Sequence, residues 1–186
     1  MNSGRDRAYS PRDLIDLLHD IEVRSQASAR SQPNIEVPEH LWQGLVFTVA
    51  GVRLVCPMDE VSELLAVPET MTRVPGAREW VAGLANVRGN LLPIVDLQAF
   101  LGAKALVVGK ASRVLVLRRR KFTTGVLVPS VVGMRQFDIG QRMAHARIEG
   151  AIGGYVYDAF QIGREIWPVF SMRALTADAR FRNAAA

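Results

Sequence analysis

Several stretches of this chain hold residue types that could do chemistry, and each can be held against the spacing that chemistry requires. GAKALVVGKA (102–111) has the order of a phosphate-binding loop, but six residues separate Gly102 from Gly109 where such a loop has four. Ala111 also stands where a magnesium-binding hydroxyl belongs. GAIGGY (150–155) holds three glycines without the G-x-G-x-x-G spacing that lets a backbone approach a pyrophosphate. His19, His40 and His145 lie far apart, with no Cys or His at metal-ligand spacing. Cys56 precedes a proline inside an apolar run and reads as a small buried hydrophobe. No G-x-S-x-G nucleophile elbow occurs. Glu63 and Asp96 share no spacing that would make them a carboxylate pair. Asp96, placed after an apolar run and before LQAFLG, reads as a helix N-cap. No catalytic residue, cofactor or metal is expected. That leaves GLANVRGNLLPIVDL (83–97), where a glycine-flanked Asn and Arg precede an apolar run. Arg88 there fits either a catalytic or phosphate-binding loop, or a strand edge where a partner docks.

Composition narrows the classes. With 186 residues, 49% hydrophobic and 22% charged, the chain is ordinary globular material, long enough to bury a core. One cysteine excludes an intrachain disulfide framework and fits a reducing compartment. The opening MNSGRDRAYS has no apolar signal-peptide region. The apolar stretch 91–109 is interrupted by Pro93, Asp96, Gln98 and Lys104, so no membrane span is expected. These features predict a cytoplasmic protein. The net charge of +5 and pI near 10.0 raise an alternative, a small β-barrel that binds nucleic acid. With 7% aromatics, most of them inside apolar runs, the stacking platform of such a binder is not visible.

The elements that must position Arg88 are mostly strands. Ser10, Pro11 and Asp13 start a helix whose Leu14, Leu17, Leu18 and Ile21 share a face. Pro33 and Pro38 mark a linker. Residues 1–30 therefore read as an N-terminal helical extension, 31–41 as the linker, 42–176 as the main domain and 177–186 as a C-terminal tail. GLVFTVA and VRLVCPM flank a tight Ala50-Gly51 hairpin, VSELLAV follows, and Pro68 ends it. AREWVAGLANV fits a short helix or a strand. Pro93 predicts an edge or bulge position for NLLPIVD. RVLVLR and TTGVLV pair across the basic tip Arg118-Arg119-Arg120-Lys121, which reads as a solvated turn. LLPIVDLQAF (91–100) and EIWPVFSMRAL (165–175) echo one another, consistent with two similar strand-to-helix units. About nine short strands with glycine turns imply one barrel or two small ones.

The 83–102 segment resembles the hallmark of the CheW-like family, approximately G-x-x-N-x-R-G-x-x-x-P-x-x-D-L, at Gly83, Asn86, Arg88, Gly89, Pro93, Asp96 and Leu97. The element Val61-Ser62-Glu63-Leu64 is similar to the family's V-x-E-[IL], and the likeness extends over about 42–176. The helical extension and VPSVVGMRQF (128–137) resemble the branch that serves type IV pilus twitching motility. The resemblance implies a mainly all-β fold of two five-stranded SH3-like β-barrels sharing a core, with an extra N-terminal α-helix. It implies a non-enzymatic adaptor, cytoplasmic and recruited to membrane-associated receptor arrays. The implied partners are the regulatory domain of a CheA-like histidine kinase and the cytoplasmic tip of a methyl-accepting chemoreceptor. No nucleic acid and no membrane insertion are implied. It further implies a Glu63–Arg88 charge pair on an exposed surface. Partner contacts would come from Val61, Glu63, Leu64, Gly83, Leu84, Asn86, Val87, Arg88 and Gly89. Gly89 would supply a turn φ, Gly83 would admit a partner backbone, and Val61, Leu64, Leu84 and Val87 would give apolar contact. The bland reading of the same element is a barrel corner that Arg88 merely holds. Pro129-Ser130 departs from the family, where an acidic residue often follows the apolar strand.

Overall fold

A computed structural model describes residues 40–119 and 122–184. The expected N-terminal helix, nearly all of its linker, His19, and Arg120 and Lys121 of the basic tip lie outside the described residues. The described strands are β1 (Leu41–Val49), β2 (Val52–Pro57), β3 (Glu63–Ala66), β4 (Val81–Val87), β5 (Asn90–Asp96), β6 (Arg113–Arg119), β7 (Phe122–Val128), β8 (Ser130–Asp138), β9 (Arg142–Ala144), β10 (Val156–Ile162) and β11 (Glu165–Phe170). Three short helices join them: α1 (Leu97–Phe100) after β5, then α2 (Met172–Ala177) and α3 (Ala179–Arg182) after β11.

The strands form two sheets, ordered β8-β1-β2-β11-β10-β9 and β3-β6-β7-β5-β4. Both follow one plan. A hairpin (β1–β2 or β6–β7) lies beside a second hairpin (β10–β11 or β4–β5), with one parallel contact at the seam, β2 with β11 and β7 with β5. In each, the proline-bearing strand runs into a helix, capped by Asp96 in one case and Ser171 in the other. The echo between 91–100 and 165–175 is this shared plan. The expected five-and-five arrangement gains one strand, the three-residue β9.

Alternation along the strands explains why two sheets give three cores. Leu45, Phe47 and Val49 of β1, Leu54 and Cys56 of β2, Leu115 and Leu117 of β6, and Val126 and Val128 of β7 meet in one core shared by both sheets. The residues between them point the other way. Val46 and Val55 join Phe137, Phe160 and Trp167 inside the first barrel. Val114, Val116 and Leu127 join Ala85, Leu92 and Ile94 inside the second. Each sheet is thus buried on both faces, which is why its strands read as near-continuous apolar runs rather than alternating ones. Cys56 sits fully buried in the shared core, where burial first, then the charges of Glu60 and Asp59, push its thiol pKa far up.

Two local expectations are settled here. Of AREWVAGLANV, left open as helix or strand, Val81–Val87 forms β4, and Gly83 there holds φ +146°, a value no α-helix accepts. Of the edge or bulge expected at Pro93, the edge is absent, since β5 is interior to its sheet, while β4 bulges between Val81 and Gly83, beside the Pro93 neighbour Ile94. Leu84, the partner of Pro93 on β4, sends both its N–H and its C=O to Thr72 instead. The parallel ladder with β7 begins only at Ile94. The missing proline donor therefore breaks no ladder bond.

Candidate docking site

The N-x-R-G element forms the β4–β5 hairpin tip. Arg88 and Gly89 are its two loop residues, with φ +50° and +83°, the signature of a type I′ turn whose twist suits the flanking strands. Asn86 Oδ1 accepts from the Gly89 N–H at 2.9 Å and fixes the loop. Gly89 thus takes the left-handed φ expected of it, and Arg88 takes one as well, which its residue type did not announce.

Glu63 lies on β3, at the opposite edge of the same sheet. Curling of the sheet brings that edge to the β4–β5 tip, and Arg88 Nη2 meets Glu63 Oε1 at 2.7 Å. The Arg88 side chain is 74% exposed and that of Glu63 23%. Arg118, at the end of β6, approaches the other Glu63 oxygen, with Nη2 3.9 Å from Oε2. Together with Leu65, Val87 and Leu91 these groups line a concave mouth at the end of the second barrel. An ion pair this exposed contributes only about 0–1 kcal/mol to folding. The pair fixes where the Arg88 guanidinium sits on this exposed surface.

The other residues expected to contact a partner divide. Leu64 is exposed at 45%, but alternation puts it on the opposite face of β3 from Glu63. Val61 packs on the shared core, and Val87 packs against the interior of the second barrel. Leu84 is half-buried, its backbone bound to Thr72. Gly83 is buried, and a Cβ there would lie 2.6 Å from the Thr72 carbonyl oxygen. The close backbone approach it permits is therefore to its own chain and not to a partner. Asn86, though exposed, spends its side-chain oxygen on the turn. The apolar residue that sequence reasoning missed is Leu91, 72% exposed at the mouth. Its signal was present: Leu92 and Ile94 point inward, so Leu91 must point out.

The remaining chemical candidates have structural roles. Asp96 caps α1, its Oδ1 accepting from Gln98 N at 2.9 Å and Ala99 N at 3.1 Å, while Oδ2 accepts from Leu106 N at 2.6 Å. That last bond ties down the loop that resembled a phosphate-binding one. The His145 N–H donates to Asp158, and among the described residues no three His, Cys, Asp or Glu side chains could hold a metal. Ser130 Oγ shares a 2.8 Å hydrogen bond with Thr48 Oγ1, so the position that departs from the family pattern serves the β1–β8 pairing. A polar cluster with no sequence signal joins Tyr155, Asp178 and Arg180. The Tyr155 hydroxyl donates to Asp178 at 2.5 Å, and burial, then this bond, push the phenol pKa up to about 12. Hydrogen bonds from the Arg180 guanidinium first, then from Tyr155, hold Asp178 well below the usual carboxylate range.

Comparison with known proteins bears on the fold and the family. The CheW-like domain model matches residues 43–180. Protein PilI of Pseudomonas aeruginosa is 36% identical over 170 residues, covering 91% of this chain and 94% of PilI. Chemotaxis protein CheW of Helicobacter pylori is 30% identical over 121 residues, 63% of this chain and 72% of that protein. The crystal structure of the scaffolding protein TtCheW from Thermoanaerobacter tengcongensis superposes with a TM-score of 0.64 at 18% identity, covering 74% of this chain and 94% of that one, and so shares the fold. Since both the domain match and the likeness to PilI span most of its length, the chain belongs to the CheW-like domain family.

Proposed function

We propose that the protein is a non-catalytic adaptor that couples methyl-accepting chemoreceptors to a CheA-type histidine kinase, in a chemosensory pathway controlling type IV pilus twitching motility. The observation that carries this reading is Arg88, presented on a type I′ turn and clamped by Glu63 at an open barrel mouth. An exposed pair that adds so little to stability is better understood as a shaped charge pattern for a partner. The kinase's regulatory domain is its occupant in this reading, while the receptor tip takes the groove between the barrels. The likeness to PilI over 91% of the chain supports the twitching-motility branch, and membership in the CheW-like family supports an adaptor without catalysis. No helix of the described residues is long and apolar enough to cross a membrane, which agrees with recruitment to receptor arrays through protein contacts.

The nucleic-acid alternative loses support from the rings themselves. Trp42, Phe137, Phe160 and Trp167 pack on one another in the first barrel, and Trp80, Phe100 and Phe181 at the shared core. Those rings are taken up by packing and not displayed for bases.

Co-precipitation with the regulatory domain and with a receptor-tip fragment tests the reading. Arg88→Glu places two carboxylates together and should leave the β-rich circular dichroism spectrum intact while reducing kinase capture at least about tenfold. Unchanged capture by a folded variant would remove Arg88 from the interface.

A further inference from the structure

Arg118 has no place in the family pattern that singled out Glu63 and Arg88, yet the structure puts it at the same carboxylate. Glu63 Oε1 is 2.7 Å from Arg88 and Oε2 is 3.9 Å from Arg118. Among the described residues lining the mouth these are the three charged side chains. Two cations and one anion leave a net charge of +1. Both arginines lie well within the Debye length of about 8 Å from Glu63 at physiological salt, so an approaching group meets the carboxylate together with its two cations. Arg118 is 66% exposed, and its N–H donates to Ser62 Oγ at 3.2 Å. The strand beneath it is thus pinned, while the guanidinium itself stays largely open to solvent.

We propose that Arg118 is a specificity-determining residue that makes this mouth a receptor for one acidic side chain of the partner, flanked by an apolar group seated on Leu91. This rests on the docking reading above and deepens it. Among the described charges at the mouth, Arg88 and Glu63 alone would cancel and leave no excess cation for a partner's carboxylate. With Arg118 the mouth carries a vacancy for one carboxylate, and two arginines facing two carboxylates complete the set. Arg118 also removes a penalty. When the partner's carboxylate draws Arg88 outward, Glu63 would be left in its half-buried position without a cation, and Arg118 is the group positioned to close on it. The run Arg118-Arg119 at the hairpin end thus has one residue turned to the mouth, whereas Arg119 turns inward to Thr176 Oγ1 at 3.4 Å.

The test is the affinity of the full chain for the kinase regulatory domain, measured by calorimetry across a salt series, for wild type, Arg118→Ala, Arg118→Lys and Arg88→Glu. The expected result is binding weakened about fivefold or more by Arg118→Ala, with a flatter salt dependence, and largely restored by Arg118→Lys. A variant that merely disturbed the strand would not be rescued by a lysine and would keep the wild-type salt slope. The proposal is overturned if Arg118→Ala binds within about twofold of wild type with an unchanged slope. If Arg88→Glu still abolishes binding in that case, the docking reading stands and only the role of Arg118 falls. If Arg88→Glu and Arg118→Ala both bind as wild type does, or if the wild-type chain itself does not bind, both fall.

Discussion

Arg88 concentrates the conflict between folding and binding at one position. A left-handed conformation costs a residue with a Cβ roughly 1–2 kcal/mol, and the exposed pair with Glu63 returns about 0–1 kcal/mol. Asn tolerates that φ better, and Asn-Gly is the preferred pair for a type I′ loop. Arg88→Asn should therefore melt at the wild-type Tm or up to about 4 °C above it, yet lose kinase binding, as thermal melts and calorimetry on one preparation would show. A marked fall in Tm would make Arg88 a structural residue, the barrel-corner role weighed against docking from the sequence. At this scale the sequence was half legible. Gly89 and Asn86 announce a turn, but nothing in an arginine announces a positive φ. Gly83 looked like space for a partner because the Thr72 carbonyl that fills it lies eleven positions upstream in a loop with no pairing signal of its own.

Elements were more legible than side-chain roles, because strand periodicity and turn chemistry are local. The Ala50-Gly51 hairpin, the Asp96 cap and the echo between β5–α1 and β11–α2 could all be read from short windows. The segment 177–186, which sequence sets apart as a tail, instead contains α3, whose Phe181 is buried in the shared core. What fixes it there is the non-local cluster of Tyr155, Asp178 and Arg180, and contacts across 23 positions leave no periodic trace. Asp178 has its pKa lowered in the folded state, so its contribution is present above the ordinary aspartate range and fades as pH falls through and below it. Asp178→Asn keeps a capping oxygen but removes the charge. Its Tm deficit against wild type should be largest near neutral pH and should shrink steadily below about pH 4. A deficit independent of pH would show that the carboxylate's charge is not what holds α3. Tyr155, raised to about 12, works in the opposite direction, its contribution being complete below the unfolded tyrosine pKa of about 10 and lost as pH rises through 12.

The described residues form two sheets of one plan sharing a middle core, and that plan places the two edges β3 and β4 of the second sheet where Glu63 and Arg88 can meet. Residues 25 positions apart in sequence form the site only because the sheet curls, which is why the family resemblance could imply the pair while nothing local in the sequence built its surroundings. The same curl brings in Arg118, Leu91 and Val87 and leaves Val61 and Leu84 out of the mouth's lining. On the proposed reading the kinase docks on this barrel mouth, with Glu63 and Arg88 at its middle. Amide chemical-shift mapping of the labelled chain, titrated with the kinase regulatory domain, tests it most directly. The largest shifts should fall on residues 63–65, 87–92 and 116–118. Saturable binding whose shifts lie elsewhere, with Glu63 and Arg88 unmoved, would contradict it.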